Sequence, residues 1–243
     1  MSLLLVLCWV LGGVTVDSTS ADEVLQLAAL PVLAFATWQL SALRISRTIG
    51  IALLLLLVLL ALPVWQLLPL PQAIGMGGAA RHAITADLAA AGVHVASAHA
   101  SLSVLATERS LWSLLPAMAL FLGALTLPRR TSRRLMQLVL ALVLASAVFA
   151  FFQLSLPDGS PLLLYTSWGR NFGGVFVNPN HQGTALAIAA VIAAALFING
   201  GHRARDHGGY RHWLYAAICA ACVIMVPLAN GTAAVLLLLV GLV

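Results

Sequence analysis

The apolar residues of this chain come in long unbroken runs, separated by short polar interruptions. They neither alternate along a strand nor keep to one helical face. An α-helix needs roughly 20 apolar residues to cross a hydrocarbon core, with a wide range. By that measure the runs predict helices at about 2–16, 24–43, 49–70, 111–127, 135–156, 181–198, 213–228 and 232–243. A membrane β-barrel would instead show short alternating segments. The expected fold class is all-α: a polytopic transmembrane helix bundle of about seven to eight membrane helices, in a single multi-pass domain over 1–243. The first run lacks a basic leader and a small-residue cleavage site, so it reads as a helix and not as a signal peptide. The last run stops at Val243, which gives the pattern the look of a chain truncated at its C-terminus.

The polar interruptions then orient the bundle. Arg44 and Arg47 join the second and third helices. Arg129, Arg130, Arg133 and Arg134 join the fourth and fifth, and Arg203, Arg205 and Arg211 the sixth and seventh. That puts nine arginines on one side and leaves Arg81, Arg109 and Arg170 on the other, together with six of the seven acidic residues. Basic loops stay cytoplasmic, so the arginine-rich side faces in and the N-terminus starts there.

Composition agrees. Hydrophobic residues make up 62% of the 243 and charged residues only 8%, against about 25% charged in soluble domains. A net charge of +5 would suit a nucleic-acid partner, but all twelve basic residues are arginines placed between apolar runs. No nucleic acid is expected; membrane lipids are. Cys8, Cys219 and Cys222 all lie inside apolar runs, so they form no disulfide framework and read as small buried residues.

Two outward loops are longer than connection requires. The stretch 71–110 holds Arg81, His82, Asp87, His94, His99, Glu108 and Arg109, and its part 79–105 is alanine-rich with a mixed face, suited to an interfacial helix. His94 and His99 are five apart, a poor spacing for two metal ligands on one helical face. The second loop, 157–180, ends in GRNFGGVFVNPNHQGT, which opens an apolar helix. Asn180 is the expected cap, because Pro179 disfavours an earlier start. A helix mouth presents free N–H groups and a positive dipole end, which favour phosphate. Gly173 and Gly174 permit a positive φ or a close backbone approach, and Arg170 offers a planar bidentate donor. His181 adds a side chain that changes charge nearest neutral pH. Arg170, Gly174, Asn178, Asn180 and His181 therefore form a candidate diphosphate cradle, with Arg109 as a second clamp. The same residues also admit a plainer reading: Asn180 a cap, Arg170 an interfacial arginine among headgroups, His181 a packed ring.

The segment GRNFGGVFVNPNHQGTALAIA resembles the signature of the O-antigen ligase and polymerase family of integral membrane proteins, in which an aromatic-Gly-x-Phe-x-Asn-x-Asn segment opens a transmembrane helix. The matching positions are Phe172, Gly174, Phe176, Asn178, Asn180 and His181, with Arg170 just upstream. The resemblance covers roughly 100–243 and includes ASLSVLATERSLWSLLPAMALFLGAL and a helix ending FAFFQ; residues 1–99 match only in being helical. It implies transfer of a glycan from an undecaprenyl-diphosphate carrier to a lipid or saccharide acceptor, on the outer face of the bacterial cytoplasmic (inner) membrane, with no metal and no cofactor. Taken together with the reading of the residues, it makes Arg170 and His181 the expected catalytic residues and Arg170, Gly174, Asn178, Asn180 and Arg109 the expected substrate-binding ones. Two departures stand out. Where the family has an arginine-bearing turn after the next helix, this chain reads LANGTAAV, and the family's large later outer loop has no counterpart before Val243. Those departures leave room for a non-catalytic subunit of polysaccharide assembly. A transporter would place ionisable groups in mid-span, and these spans carry almost none.

Overall fold

A computed structural model describes residues 1–12, 19–70, 79–93, 98–101, 103–157, 159–160, 162–164, 171–204, 210–229 and 232–241. The elements follow the predicted runs closely: α1 (Ser2–Leu11), α2 (Thr19–Ser41), α3 (Arg47–Leu67), α4 (Ala79–Ala90), α5 (Val104–Ser113), α6 (Leu115–Thr126), α7 (Arg129–Leu154), α8 (Pro179–Ala204), α9 (Arg211–Met225) and α10 (Thr232–Gly241). Two-residue strands, β1 (Pro69–Leu70) and β2 (Ala98–His99), pair antiparallel. Among the described residues, six helical stretches are long and apolar enough to cross a membrane: Ser20–Ser41, Arg47–Leu67, Val104–Thr126, Arg129–Leu154, Pro179–Gly200 and His212–Ala229. The protein is a multi-pass, all-α membrane protein. Of the seven or eight expected spans, α1 and α10 fall short, at 10 residues each. A rise of about 1.5 Å per residue carries such a helix only halfway through a bilayer core.

Several boundaries differ from the apolar runs. The fourth span starts at Val104, capped by the Ser103 hydroxyl, so Glu108 and Arg109 are helical. It is interrupted at Leu114, because Pro116 has no N–H to give and its ring crowds the carbonyl four residues back. The fifth span starts at Arg129, so the four arginines form exposed first turns of α7 instead of a loop. Only Leu127 and Pro128 separate α6 from α7.

The chain divides into two compact units, Met1–Leu25 with Leu127–Val243, and Gln26–Thr126. In the second unit α3 packs against α5. Its outer loop is tied down at one end: the Ser101 N–H donates to the Gln66 carbonyl at 3.0 Å, and His99 Nδ1 lies 2.9 Å from the Leu67 carbonyl oxygen. In the first unit α8 is the hub, touching α7, α9 and α10. Its inner seam is Ala185, Leu186, Ala189, Ala190, Ala193 and Leu196, all buried. Small side chains at helical spacing let neighbouring backbones approach, which in lipid replaces the missing hydrophobic drive between helices. Gly241 of α10 meets this helix so closely that a Cβ there would strike Val191. From α7, Leu140, Val143, Ala147 and Ala150 face the same core. Tyr215 of α9 accepts a hydrogen bond from Gln137 of α7 at 2.6 Å. α1 belongs to this unit as well, with Leu4 buried and Trp9 packed on the core.

Candidate functional site

The polar stretch expected to carry function sits where α8 begins. Arg170 lies outside the described residues, as do 165–169 before it. From Asn171 onward the chain is packed onto α7 and α8. Phe172 is buried and meets Phe151 of α7 edge-on, with ring centroids 4.8 Å apart. Phe176 meets Trp9 of α1 the same way at 5.2 Å. Between these two aromatic anchors the backbone turns, and the Phe176 N–H donates to the Gly173 carbonyl at 3.0 Å.

Gly174 is the pivot of that turn. Its φ is +61°, in the left-handed region that L side chains rarely adopt. A Cβ there would also collide with the Ser146 side chain and stand 2.6 Å from the Ser146 carbonyl oxygen. Both uses of glycine expected from the sequence, positive φ and close approach, apply at this one residue.

The helix start differs from the expected one. Asn178, and not Asn180, is the cap: its Oδ1 accepts the Asn180 N–H at 2.9 Å, and α8 begins at Pro179. The reason is positional. Proline is suited to the first helical position, where its missing N–H would be unpaired anyway and its fixed φ is already helical. The restriction a proline places on its predecessor then falls on Asn178, which as the cap is non-helical in any case. Asn180 and His181 consequently sit inside the first turn with exposed side chains. The His181 ring lies beside Phe176, centroids 6.3 Å apart. The Thr184 hydroxyl donates back to the Asn180 carbonyl at 2.9 Å.

One group of residues had no role in the sequence reading. Ser146 of α7 and Gln182 of α8 are both buried, at 1% and 0% exposure, among mainly apolar side chains. The Ser146 hydroxyl donates to Gln182 Oε1 at 2.7 Å and accepts the Val175 N–H at 3.2 Å. Gln182 Nε2 is buried and has no hydrogen-bond partner among the described residues. An orphaned buried amide costs about 1–3 kcal/mol. A signal for this pair was present: Gln182 falls four residues before Leu186, on the alanine seam of α8, where a transmembrane helix would ordinarily carry an apolar side chain.

The structure thus brings Gly174, Asn178, Asn180 and His181 together on one turn and one helix mouth. Arg109 is exposed on α5, in the other unit. The Asn230 position in the LANGTAAV segment lies outside the described residues. A concavity of about 430 Å³ lies in the Gln26–Thr126 unit between α3 and α6, lined by residues such as Leu55, Leu59, Met118 and Phe121. Its walls offer nothing to hold a phosphate, so the mouth of α8 remains the candidate site. Comparison with protein-family models, with curated proteins and with solved structures finds no match for the chain.

Proposed function

We propose that the protein moves a saccharide from an undecaprenyl-diphosphate carrier to a lipid or saccharide acceptor, as a ligase or polymerase of the O-antigen type, at the outer face of the bacterial cytoplasmic membrane. The observation that carries this reading is the turn and capped helix mouth at 171–182 in a multi-pass bundle, which follows Arg170 directly in the sequence. The signature resemblance and the arginine distribution support it independently. In this reading the polyprenyl tail stays in the bilayer and the diphosphate rests at the mouth of α8. Charge grows on the diphosphate as the glycosyl bond breaks, and donors fixed in advance at that point lower the barrier. Arg170 supplies the bidentate donor. The first-turn N–H groups are taken up by the cap, since the Asn180 and His181 N–H groups donate to Asn178 and Pro179 has none, so the weaker donor is the exposed Asn180 side-chain amide. The acceptor hydroxyl attacks the anomeric carbon, the lipid diphosphate leaves, and His181 takes the hydroxyl proton. No cofactor enters the scheme.

The expected result is that Arg170→Ala lowers glycan transfer at least about a hundredfold, the scale of a lost transition-state donor, while membrane insertion persists. Transfer by membranes or proteoliposomes given a lipid-linked saccharide reads it. Undiminished transfer by that variant would discard the diphosphate cradle. The absence of an arginine from LANGTAAV favours a second reading, a non-catalytic subunit of polysaccharide assembly. Wild-type protein that binds the carrier lipid and transfers nothing would decide for it. Transport is disfavoured: the buried polar side chains among the described residues are Ser146, Gln153 and Gln182, and none is ionisable.

A further inference from the structure

We infer that Ser146 and Gln182 form a positioning joint, which fixes the 173–176 turn against α7 and α8 and so sets the geometry of the candidate mouth. Three observations carry it. First, one hydroxyl serves three segments: Ser146 on α7 donates to Gln182 on α8 and accepts the Val175 N–H of the turn. Second, the turn is shaped to the pair. Gly174 lies so close that its missing Cβ would fall on Ser146, and would stand 3.2 Å from Gln182 Oε1. Third, the pair is a poor device for stability alone. Gln182 Nε2 is buried without a partner among the described residues, and replacing both members of such a pair by apolar groups of similar shape can be nearly neutral or stabilising. A polar joint that adds little to stability still adds direction, because hydrogen bonds accept only a narrow geometry while alanine-seam packing allows sliding. What it directs is the chain on both sides of the turn: Asn171, next to Arg170, and the cap at Asn178. Neither Ser146 nor Gln182 is a catalytic residue; they act through the turn. The inference deepens the proposed function, and its ligand half rests on that reading.

The test uses the full chain in nanodiscs, as wild type, Ser146→Ala, Gln182→Met and the double variant. Hydrogen exchange of the 171–178 segment, thermal unfolding, and binding of undecaprenyl diphosphate are measured on each. The joint predicts that Ser146→Ala, which removes the acceptor, exchanges the Val175 amide faster by about tenfold, the worth of one hydrogen bond, and that Gln182→Met, which frees the hydroxyl to turn, does so by a smaller factor. It also predicts that the double variant Ser146→Ala/Gln182→Met, which removes both partners, unfolds no earlier than wild type, and that both single variants bind undecaprenyl diphosphate more weakly by a similar factor. Unchanged exchange in both single variants overturns the joint. Faster exchange with undiminished binding overturns its positioning role. A merely structural pair would, in the double variant, lower the unfolding temperature in step with any loss of binding, and that pattern also overturns it. If the wild type binds no undecaprenyl diphosphate, the proposed function fails, and the exchange data alone decide whether the joint holds the turn.

Discussion

At Gly174 two constraints meet that elsewhere in the chain act singly. Gly159 also has a positive φ, of +79°, but nothing lies within 4 Å of where its Cβ would be. Gly174 has the positive φ and a wall of Ser146 atoms. Gly159→Ala is therefore expected to cost only left-handed strain, about 1–2 kcal/mol. Gly174→Ala adds overpacking and is expected to cost about 2–5 kcal/mol. Unfolding midpoints in detergent, compared between the two variants, check the difference; equal shifts would mean that the turn yields freely around the added methyl. The sequence shows that a glycine pair stands here, but it does not show which of the two bears the strain. That depends on Ser146, 28 residues away and on another helix, and no local pattern links them.

The helices were legible because lipid imposes a length on them, and length is visible in a run of apolar letters. Their ends were less so, because polar residues can continue a helix past the hydrocarbon. Arg129 to Arg134 do this in α7, and Glu108 and Arg109 in α5. The mouth of α8 shows the same limit at finer grain. The motif is legible; the register of its cap is not, since Asn178 and Asn180 are equally good capping residues and Pro179 decides between them. Asn178→Ala should cost about 1 kcal/mol of stability through the lost cap, and Asn178→Asp or Asn178→Ser should largely retain it. Asn180→Ala, at an exposed first-turn position, should stay within about 0.5 kcal/mol of wild type. Thermal unfolding of the four variants checks the order, and a larger loss at Asn180 than at Asn178 would return the cap to Asn180. For transfer activity the order is expected to reverse, since Asn180 is the exposed amide.

For the whole molecule, the arginine asymmetry makes a prediction about sidedness. With the native cysteines replaced, a membrane-impermeant maleimide applied to intact spheroplasts should label Ala86→Cys on α4. It should label Thr131→Cys, on the arginine-bearing start of α7, only after lysis. Both positions are exposed, so access and not burial decides the result; the opposite pattern would invert the bundle and move the mouth of α8 to the cytoplasm. A second whole-molecule consequence comes from the place of α8 as hub. Its seam of Ala185, Ala189, Ala190 and Ala193 is covered in part by α9 and α10, which the ribosome makes afterwards. When α8 first enters the bilayer it has α7 beside it, but the rest of its alanine face meets only acyl chains, which hold a smooth helix no better than any other. The candidate site stands at the N-terminal end of that helix, so its frame is completed late: the nascent chain holds that end only partly braced until α9 and α10 have been threaded in.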